Sequence, residues 1–308
     1  MNELVDAVAR AVSGDPAMET APAKINLALH VTARRPDGYH FIDSLAVFTE
    51  FADLLSAVPA TRDRMELILD GFFANELDLL TRPSDNLVLR AAEALKHAAG
   101  NHRLPPAQLV LTKRMPIAAG VGGGSADAAA ALRLLNRHWA LGLSETRLAE
   151  IGLGLGADVP MCLMSKPLIA RGIGERLTPV PGIPRLPMVL VNPNIPLSTS
   201  DVFGRLEQGE RSPLPPIPEQ FTSVIAFVIW LRKTRNDLCA PARTLTGLVE
   251  TVERVLSADP GCLFARMSGS GATAFGIFPK LSTAEQAAER IRQKRPNWWV
   301  VATEAVGS

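Results

Sequence analysis

The stretch of sequence that decides the fold lies near the middle of the chain. It reads, residue by residue, Pro116, Ile117, Ala118, Ala119, Gly120, Val121, Gly122, Gly123, Gly124, Ser125 and Ala126. Glycine lets backbone N–H groups approach a ligand without interference from a side chain. An alanine-rich segment follows, and a helix N-terminus adds unpaired N–H donors and about half a positive charge. The stretch therefore predicts a phosphate-binding loop, and a tight strand-to-helix turn without a ligand is the alternative.

The spacing of this loop excludes several widespread nucleotide and catalytic motifs. Walker A needs a Gly-Lys pair, which the sequence lacks. The dinucleotide pattern G-x-G-x-x-G fails because its last glycine would fall on Ser125 or Asp127. The HRD and DFG motifs of protein kinases, the G-x-S-x-G elbow and the H-E-x-x-H zinc helix do not occur either. The loop therefore belongs to another class of phosphate binder.

Hydrophobic periodicity predicts strands and helices in both halves of the chain. Residues 23–31 alternate as a half-buried strand, with one face formed by Ile25, Leu27, Leu29 and Val31 and the other by Lys24, Asn26, Ala28 and His30. Further strands are predicted over 41–57, 108–113 and 298–302, and as two runs within 261–278. Helices are predicted within 1–20 and over 86–99, 125–139, 144–153 and 283–295. Because these elements do not alternate regularly, the pattern favours an α+β fold.

Length and proline content indicate two domains. The chain has 308 residues, about twice the usual size of one domain. Residues 178–187 contain four prolines and predict a stiff, extended boundary. We therefore expect an N-terminal domain over 1–180 and a C-terminal domain over 181–308. A second proline-rich stretch over 212–220 predicts a loop.

Composition limits the partners and the compartment. Lys+Arg total 32 and Asp+Glu total 31, and this net charge of +1 does not call for a nucleic-acid partner. The chain has 3 cysteines, which are too few for a zinc site and predict free thiols in a reducing compartment. The longest apolar run, 224–231, is far shorter than the roughly 20 residues of a membrane span. We expect a cytoplasmic protein with neither a nucleic-acid nor a membrane partner.

The loop, taken with two other segments, resembles the GHMP kinases, the superfamily of galactokinase and of homoserine, mevalonate and phosphomevalonate kinases. Residues 22–27 (PAKINL) are similar to the first motif of that family, and residues 267–275 (MSGSGATAF) to its third. The three motifs occur in the family's order and cover nearly the whole chain. The resemblance implies an N-terminal domain like domain 2 of ribosomal protein S5 and a ferredoxin-like C-terminal domain. Residues 1–20 precede the first motif, and residues 204–234 match the family least.

Three further segments narrow the resemblance to one branch of the superfamily. They are 35–40 (RPDGYH), 156–160 (GADVP) and 235–238 (RNDL). Enzymes of this branch use ATP with Mg²⁺ to phosphorylate a cytidine-diphosphate-linked methylerythritol in the non-mevalonate route to isoprenoids. One alternative is a homoserine or mevalonate type kinase, whose substrate carries no base to stack. Another is a non-catalytic nucleotide- or RNA-binding module, which the net charge of +1 and the presence of Lys24 and Asp158 disfavour.

Two charged residues are the catalytic candidates. Asp158 follows Gly156 in a short loop, and Pro160 is expected to hold Val159 extended. A carboxylate placed in this way can accept the proton of a hydroxyl nucleophile, whereas a solvated loop aspartate or a helix cap is the alternative. Lys24 can stabilise developing negative charge, whereas an exposed strand lysine is the alternative. The resemblance assigns both residues to catalysis.

The substrate candidates begin with Tyr39, the only tyrosine of the chain, and its neighbour His40. A flat ring beside an imidazole suits stacking and hydrogen bonding with a pyrimidine base, although a packed turn would look the same. By resemblance, Tyr39 and His40 hold the cytidine, and Phe203 provides the other face of the base. Asn26 and Thr199 would contact the methylerythritol portion or its diphosphate.

The remaining candidates concern the nucleotide. By resemblance, residues 116–126 bind the ATP phosphates and Asn86 with Leu87 forms the adenine pocket. Lys113 lies just before the loop, where it could reach ATP. Ser125 is suited either to coordinate Mg²⁺ or to cap its helix, so the metal ligands stay open. The other four histidines, which are His30, His97, His102 and His138, have no metal-binding spacing.

Overall fold

A computed structural model describes residues 17–60, 64–100, 104–207 and 209–307 of the chain. Its strands are β1 (Met18–Arg34), β2 (His40–Pro59), β3 (Glu66–Asp70), β4 (Ala107–Thr112), β5 (Leu168–Gly172), β6 (Arg176–Pro179), β7 (Leu186–Asn192), β8 (Phe264–Met267), β9 (Ala274–Ile277) and β10 (Trp299–Ala305). Its helices are α1 (Ala74–Leu80), α2 (Leu87–Ala98), α3 (Gly123–His138), α4 (Glu145–Leu155), α5 (Val159–Met164), α6 (Thr199–Gly204), α7 (Val224–Leu231), α8 (Cys239–Leu245), α9 (Leu248–Ser257) and α10 (Leu281–Lys294). This mixture confirms the predicted α+β class. Most of the helix predicted within 1–20 lies outside the described residues.

The chain divides into two compact units, each made of separate pieces. The first unit takes its described residues from the segments up to Ala23, Ala52–Ile117 and Gly123–Met164. The second unit combines Lys24–Phe51, Ala118–Gly122 and the segment from Ser165 onward. The domain boundary expected between residues 180 and 181 stays a prediction.

The first unit combines a small sheet with helices. Strand β4 pairs antiparallel with Leu54–Pro59 of β2 and parallel with β3. The helices α2, α3, α4 and α5 pack around one another, and α3 supplies their centre. Its residues 128–132 are fully buried, and four of these five are alanines. Because alanine is small, the neighbouring helices approach α3 closely along this stretch.

The second unit contains a larger antiparallel arrangement. Strand β7 pairs along its whole length with β10 and, on its other side, with β9, which pairs in turn with β8. Helices α9 and α10 cover these strands with a buried apolar cluster that includes Val252, Leu256, Ala284 and Ile291. The first half of β2 pairs with β5, and β5 with β6. The motif loop between β8 and β9 is therefore rooted in a well-packed sheet.

Strand β1 differs from its prediction in length and in burial. It runs from Met18 to Arg34, and residues of both its faces are buried. Lys24 and Asn26 are each 5% exposed and His30 is 1% exposed, so the expected half-buried strand is wrong. The polar face packs against other segments of the chain, since the Asn26 amide donates to Ser44 Oγ (2.8 Å) and His30 Nε2 accepts from Arg235 N (3.0 Å). Alternation therefore separated two faces correctly but could not show that both are covered.

Most predicted helices are confirmed, with two corrections around Asp158. Asn86 and Ser144 cap α2 and α4 by accepting hydrogen bonds from Val88 N and Arg147 N. Helix α4 continues to Leu155, past the end predicted at residue 153. Pro160 does not hold its neighbour extended, because α5 begins at Val159. A proline costs little within the first turn, where its missing N–H would have no partner in the helix.

The region from residue 199 to 257 contains four helices that were not predicted from the sequence. They are α6, α7, α8 and α9. The proline-rich stretch 212–220 is neither helix nor strand and is held by hydrogen bonds, from Leu214 N to Asp43 (3.1 Å) and from the Trp230 indole to the Pro216 carbonyl (2.9 Å). Within the described segments, no helix has the length and hydropathy that crossing a bilayer requires.

Candidate functional site

The glycine loop adopts backbone conformations that suit glycine. Gly120 and Gly122 have φ of +73° and +67°, in the left-handed region that other residues seldom adopt. A Cβ atom on Gly120 would also lie 2.7 Å from the carbonyl oxygens of Ser268 and Gly271. At this position the conformation and the lack of space both require glycine.

Residues 118–122 of the loop are held within the second unit through their carbonyl groups. The carbonyl of Ala118 accepts a hydrogen bond from Leu197 N (3.3 Å), and that of Ala119 accepts one from Thr273 N (3.1 Å). The next carbonyl, of Gly120, accepts from the Ser268 hydroxyl at 2.9 Å. Val121 O accepts from Lys24 N, also at 2.9 Å. Four consecutive carbonyls are thereby anchored, which fixes the path of the loop.

Two predicted site residues of β1 lie against this loop. The side chain of Lys24 packs on Gly122, where an added Cβ atom would be 3.2 Å from Lys24 Cε. Asn26 donates from its backbone N to Ser268 Oγ (3.1 Å) and from its side-chain amide to Ser44 Oγ (2.8 Å). Through these two residues the first motif contacts the glycine loop, at Gly122, and the third motif, at Ser268.

Serines of the third motif are site residues that sequence reasoning missed. Ser268 connects β1 with the loop, since its hydroxyl accepts from Asn26 N and donates to Gly120 O. Ser270 and the predicted residue Thr199, at the start of α6, share a hydrogen bond of 2.9 Å between their hydroxyls. The signal was present, because residues 267–275 carry the motif, but the motif did not indicate which hydroxyls make contacts.

The residues expected to hold the base also meet within the second unit. The rings of His40 and Phe203 lie 5.1 Å apart between centroids, with an interplanar angle of 32°. Tyr39 is 61% exposed, and its turn is closed by the hydrogen bond from Arg35 N to Tyr39 O (2.7 Å). Burial, followed by the positive charges of Arg34 and Arg211, lowers the pKa of His40. A neutral imidazole beside the Phe203 ring suits recognition of a heterocyclic base.

In the first unit, Asp158 directly precedes α5. Its carbonyl accepts the first hydrogen bond of that helix, from Cys162 N at 3.1 Å. The residue is partly exposed. This place agrees with the expected loop aspartate and also with the helix-cap alternative, so its catalytic role stays a prediction.

Lys113, expected to reach ATP, lies in a buried cluster of charges that we name the Asp53–Lys113–Asp127 triad. Its ammonium contacts Asp53 Oδ2 and, at 2.7 Å, Asp127 Oδ2. Asp53 Oδ1 also accepts from the backbone N of Arg114 (2.5 Å) and of Met115 (2.9 Å). Contact of Lys113 with ATP stays a prediction, and the two aspartates are site residues that the sequence analysis missed. The sequence did contain a signal for each, because Asp53 interrupts an apolar part of its strand and Asp127 an alanine-rich part of its helix.

For both Lys113 and Asp127, burial and the neighbouring opposite charge act on the pKa in opposite directions. Burial acts to lower the pKa of Lys113, but the charges of Asp127 and Asp53 outweigh it and raise this pKa above its ordinary value. Burial also raises the pKa of Asp127 to about 7, against the attraction of Lys113. Asp127 Oδ1 is buried without a hydrogen-bond partner in the described part of the chain. The triad is therefore a closely packed group of three ionisable side chains.

One of the two expected adenine residues lies at a cavity of the first unit. Asn86 lines a cavity of about 730 Å³ that is bordered by β3 and α1. Leu87 packs against the loop, since a Cβ atom on Gly124 would be 3.4 Å from its side chain. Ser125 is the third residue of α3, inside the helix rather than at its cap position.

No protein metal centre is evident in the described residues. Among them, no group of three or more His, Cys, Asp or Glu side chains is placed to hold an ion. The cysteines Cys162, Cys239 and Cys262 are free thiols, as expected. His30 is buried, with Nδ1 at 3.1 Å from Ser212 O and Nε2 accepting from Arg235 N (3.0 Å). Both ring nitrogens of His30 therefore contact the backbone, which is a structural role. His102 lies outside the described residues.

Comparisons with known proteins agree with this arrangement. The family model described as "GHMP kinases N terminal domain" matches residues 86–166, and "GHMP kinases C terminal" matches residues 230–297. A 4-diphosphocytidyl-2-C-methyl-D-erythritol kinase of Chelativorans sp. is 49% identical over 288 residues, which are 94% of this chain and 96% of that protein.

Solved structures give the same result. A crystal structure of 4-(cytidine 5'-diphospho)-2C-methyl-D-erythritol kinase is 32% identical, covers 94% of this chain and 100% of its own, and has a TM-score of 0.74. A homoserine kinase of Cytophaga hutchinsonii, at 16% identity, covers 94% of each chain with a TM-score of 0.67. The second likeness concerns the fold alone.

Proposed function

The chain belongs to the 4-diphosphocytidyl-2-C-methyl-D-erythritol kinases of the GHMP kinase superfamily, and we propose that it transfers the γ-phosphoryl group of ATP to the 2-hydroxyl of that cytidyl alcohol. The products are ADP and the 2-phosphate, an intermediate of the non-mevalonate route to isoprenoid precursors. The observation that carries the proposal is the identity of 49% over nearly the full length of a kinase with this name.

The ring pair of the second unit favours this substrate over those of other superfamily members. His40 and Phe203 lie 5.1 Å apart and provide aromatic surface next to Tyr39. A cytosine can use such a surface, whereas homoserine and mevalonate have no ring to place there. A homoserine or mevalonate kinase activity is therefore not favoured.

ATP is the co-substrate, and we propose that residues 116–126 bind its phosphates. Helix α3 begins within this stretch and directs unpaired N–H groups and a partial positive charge at an anion. Adenine is proposed to occupy the cavity lined by Asn86, with Leu87 between that cavity and the loop. Lys113 is proposed to serve the same site from behind the start of α3, since a Cβ atom on Gly123 would be 3.0 Å from its Nζ.

The donor set fits a Mg²⁺ ion that arrives with the nucleotide. Mg²⁺ is usually held by one or two protein oxygens together with substrate phosphates, and it does not require a cage of protein ligands. The hydroxyl of Ser125, on the first turn of α3, can supply one such oxygen. When bound, the ion would neutralise charge on the transferring phosphoryl group.

For catalysis we propose two residues of opposite charge. The carboxylate of Asp158 accepts the proton of the 2-hydroxyl group as that oxygen attacks phosphorus. The ammonium of Lys24, which packs on Gly122, stabilises negative charge that develops during transfer. The close match of residues 156–160 and 22–27 to the family motifs supports both roles.

For the acceptor we propose contacts within the second unit. Tyr39, His40 and Phe203 hold the cytidine, and Asn26 and Thr199 contact the methylerythritol or the diphosphate. The buried amide of Asn26, fixed by Ser44, and the pairing of Thr199 with Ser270 support these roles, because both side chains are already oriented.

A cytoplasmic location completes the proposal. The free thiols of Cys162, Cys239 and Cys262 suit a reducing compartment. ATP and sugar-phosphate intermediates are also handled in such a compartment.

A coupled assay of ADP release tests the proposed reaction. Purified protein is given ATP with the cytidyl alcohol, with homoserine or with mevalonate at equal concentrations. We expect ADP release with the cytidyl alcohol alone, and mass spectrometry of the product should show one added phosphoryl group. Turnover of homoserine or mevalonate without turnover of the cytidyl alcohol would refute the proposal.

A further inference from the structure

The Asp53–Lys113–Asp127 triad lies directly behind the point where the glycine loop becomes helix α3. A Cβ atom on Gly123, the first residue of α3, would be 3.0 Å from Lys113 Nζ and 3.9 Å from Asp53 Oδ2. Asp127 follows Gly123 by four residues, so the two lie on the same face of the helix. The triad therefore supports the inner side of the helix start.

The triad connects three separate pieces of chain at this point. Asp53 belongs to β2, Lys113 follows β4, and Asp127 belongs to α3. Asp53 binds the lysine with one carboxylate oxygen and the N–H groups of Arg114 and Met115 with the other. The segment that leads into the loop and the helix that leaves it are thus attached to one rigid strand.

The charge balance of the triad argues against a direct role for Lys113 as a phosphate ligand. Its side chain is 2% exposed and its ammonium faces two carboxylates, so its positive charge is already neutralised. A lysine that binds phosphate as a point charge needs that charge directed at the ligand. The ammonium is instead directed into the protein, behind the backbone of the loop.

Stability alone does not account for three buried ionisable groups. Replacing a buried ion-pair network with apolar side chains is often neutral or stabilising, because taking charges out of water is costly. Such a network does restrict geometry, since each of its hydrogen bonds has a preferred length and direction. The function most consistent with this placement is to fix the loop.

We propose that Asp53 and Asp127 are positioning residues for the nucleotide, which act through Lys113 to fix where the glycine loop passes into helix α3. This inference rests on the proposed function, because it takes residues 116–126 as the phosphate-binding loop. The first N–H groups of α3 then point at the phosphates without reorganisation when ATP binds. Loss of either carboxylate lets this start of the helix shift.

Two substitutions separate this role from a general contribution to stability. Asp53→Asn keeps Oδ1 for the N–H groups of Arg114 and Met115 but cannot accept from Lys113 through its amide nitrogen. Asp127→Asn is milder, because its remaining oxygen can still accept from Lys113. The matched control is Glu19→Gln, which weakens the ion pair of Glu19 with Arg133 (2.9 Å). Arg133 also belongs to α3 and lies about 15 Å along the helix from Gly123.

The test is steady-state kinetics with both substrates, together with calorimetric titration of ADP and a thermal unfolding curve for each variant. We expect Asp53→Asn to raise the KM for ATP and the Kd for ADP about tenfold, as a misplaced binding group does. The KM for the cytidyl alcohol and the kcat at saturating ATP should stay close to those of the wild type. Asp127→Asn should raise the same two parameters by a smaller factor, and Glu19→Gln should change neither.

Several results would overturn the inference. One is a folded Asp53→Asn variant with an unchanged KM for ATP, and another is an equal rise in both KM values. A rise in the KM for ATP of Glu19→Gln as large as that of Asp53→Asn would also overturn it. If Asp53→Asn does not fold, Asp127→Asn decides, and an unchanged Kd for ADP refutes the role. Failure of the proposed function is distinct, since it would appear as a wild type without activity on the cytidyl alcohol, while ADP titration still tests the triad.

Discussion

A hydrogen bond joins Gly120 and Ser268 so closely that no room is left for a side chain on Gly120. The Ser268 hydroxyl donates to the Gly120 carbonyl at 2.9 Å, and a Cβ atom on Gly120 would be 2.7 Å from the Ser268 carbonyl. The glycine loop and the third motif are therefore packed backbone against backbone.

Gly120→Ala should destabilise the protein and weaken ATP binding. Alanine at a φ of +73° is strained, and its methyl group would press on two backbone carbonyls that cannot move independently. We expect the free energy of unfolding to fall by about 2 kcal/mol or more. The KM for ATP should rise because the loop is displaced. Urea denaturation and initial-rate kinetics measure the two effects.

The control for this prediction is Gly154→Ala in helix α4. No atom lies within 4 Å of the position of its added Cβ, and alanine favours a helix more than glycine does. This variant should be as stable as the wild type or slightly more so. Equal unfolding curves for the Gly120→Ala protein and the wild type would contradict the proposed packing constraint.

Asp158→Asn and Lys24→Ala test the proposed catalytic roles. Asparagine keeps the size of the side chain but cannot take a proton, so kcat should fall by about 10²–10⁴-fold with little change in substrate affinity. Lys24→Ala should also lower kcat, because it removes a charge that matters most in the transition state. The losses in the double variant should be less than multiplicative if both groups serve one step. Single-turnover kinetics of all three variants measure this.

A competing mechanism predicts a different outcome for Asp158→Asn. The transition state of phosphoryl transfer is loose, so the hydroxyl group can lose its proton late and need little help from a base. Asp158 would then only orient the nucleophile. A rate near that of the wild type would exclude the base, and fully multiplicative losses would exclude a shared step.

Phe203→Ala should weaken binding of the cytidyl alcohol but not of ATP. Truncation removes one of the two rings that lie 5.1 Å apart and are expected to stack on the base. The loss of about 1 kcal/mol corresponds to a rise of roughly fivefold in the KM for the alcohol. Phe203→Tyr keeps a flat ring and should restore most of the affinity. A KM for ATP that rises as much as the KM for the alcohol would argue against base recognition here.

His30 should make the protein less stable in mild acid. Its Nε2 accepts a hydrogen bond from Arg235 N, which requires a neutral imidazole, and burial lowers its pKa from the ordinary value of 6.5. The unfolded chain therefore binds a proton below pH 6.5 that the folded protein does not. The free energy of unfolding should fall by up to about 1.4 kcal/mol for each pH unit below that value. Urea unfolding between pH 5 and pH 7.5 measures the slope.

Two asparagine variants isolate this contribution. His30→Asn can still donate to Ser212 O but does not titrate, so the slope below pH 6.5 should become shallower even though the variant is less stable at neutral pH. His97→Asn removes an exposed histidine and should leave the slope unchanged. Equal slopes in all three proteins would show that His30 is not the group responsible.

The sequence predicted the elements that depend on local rules. The helices that begin at Asn86 and Ser144, the helix after the glycine loop and the two strands around the third motif were all correctly placed, because each rests on short-range patterns. Helices α6, α7 and α8 were missed because they are short, with 6, 8 and 7 residues. Helix α9 was missed although its buried residues Val249, Val252 and Leu256 have helical spacing. The burial of Lys24 and His30 was also missed, because it depends on segments far away along the chain.

The candidate site shows the same limit. Motif resemblance indicated Lys24, Asn26 and the ring pair of His40 and Phe203. The structure then showed which residues each of them contacts. Neither Asp53 nor Asp127 was predicted from the sequence. Their proposed role rests on their contact with Lys113, which only the folded structure shows. Ser268 had a motif but no assigned contact, since the pairing with Gly120 spans 148 positions of the chain.

The interleaving of the two compact units has a consequence for synthesis and for cloning. The second unit draws on Lys24–Phe51 and also on β10 near the C-terminus, so it cannot be completed until almost the whole chain has left the ribosome. Until then, β1 lacks the backbone partners that Leu29 finds in Arg235 and Asp237. A fragment cut within the proline-rich stretch 178–187 would keep β1 but lose those partners. Expression of either half alone should yield aggregation-prone material, and co-expression of both halves is the more promising route to a soluble split protein.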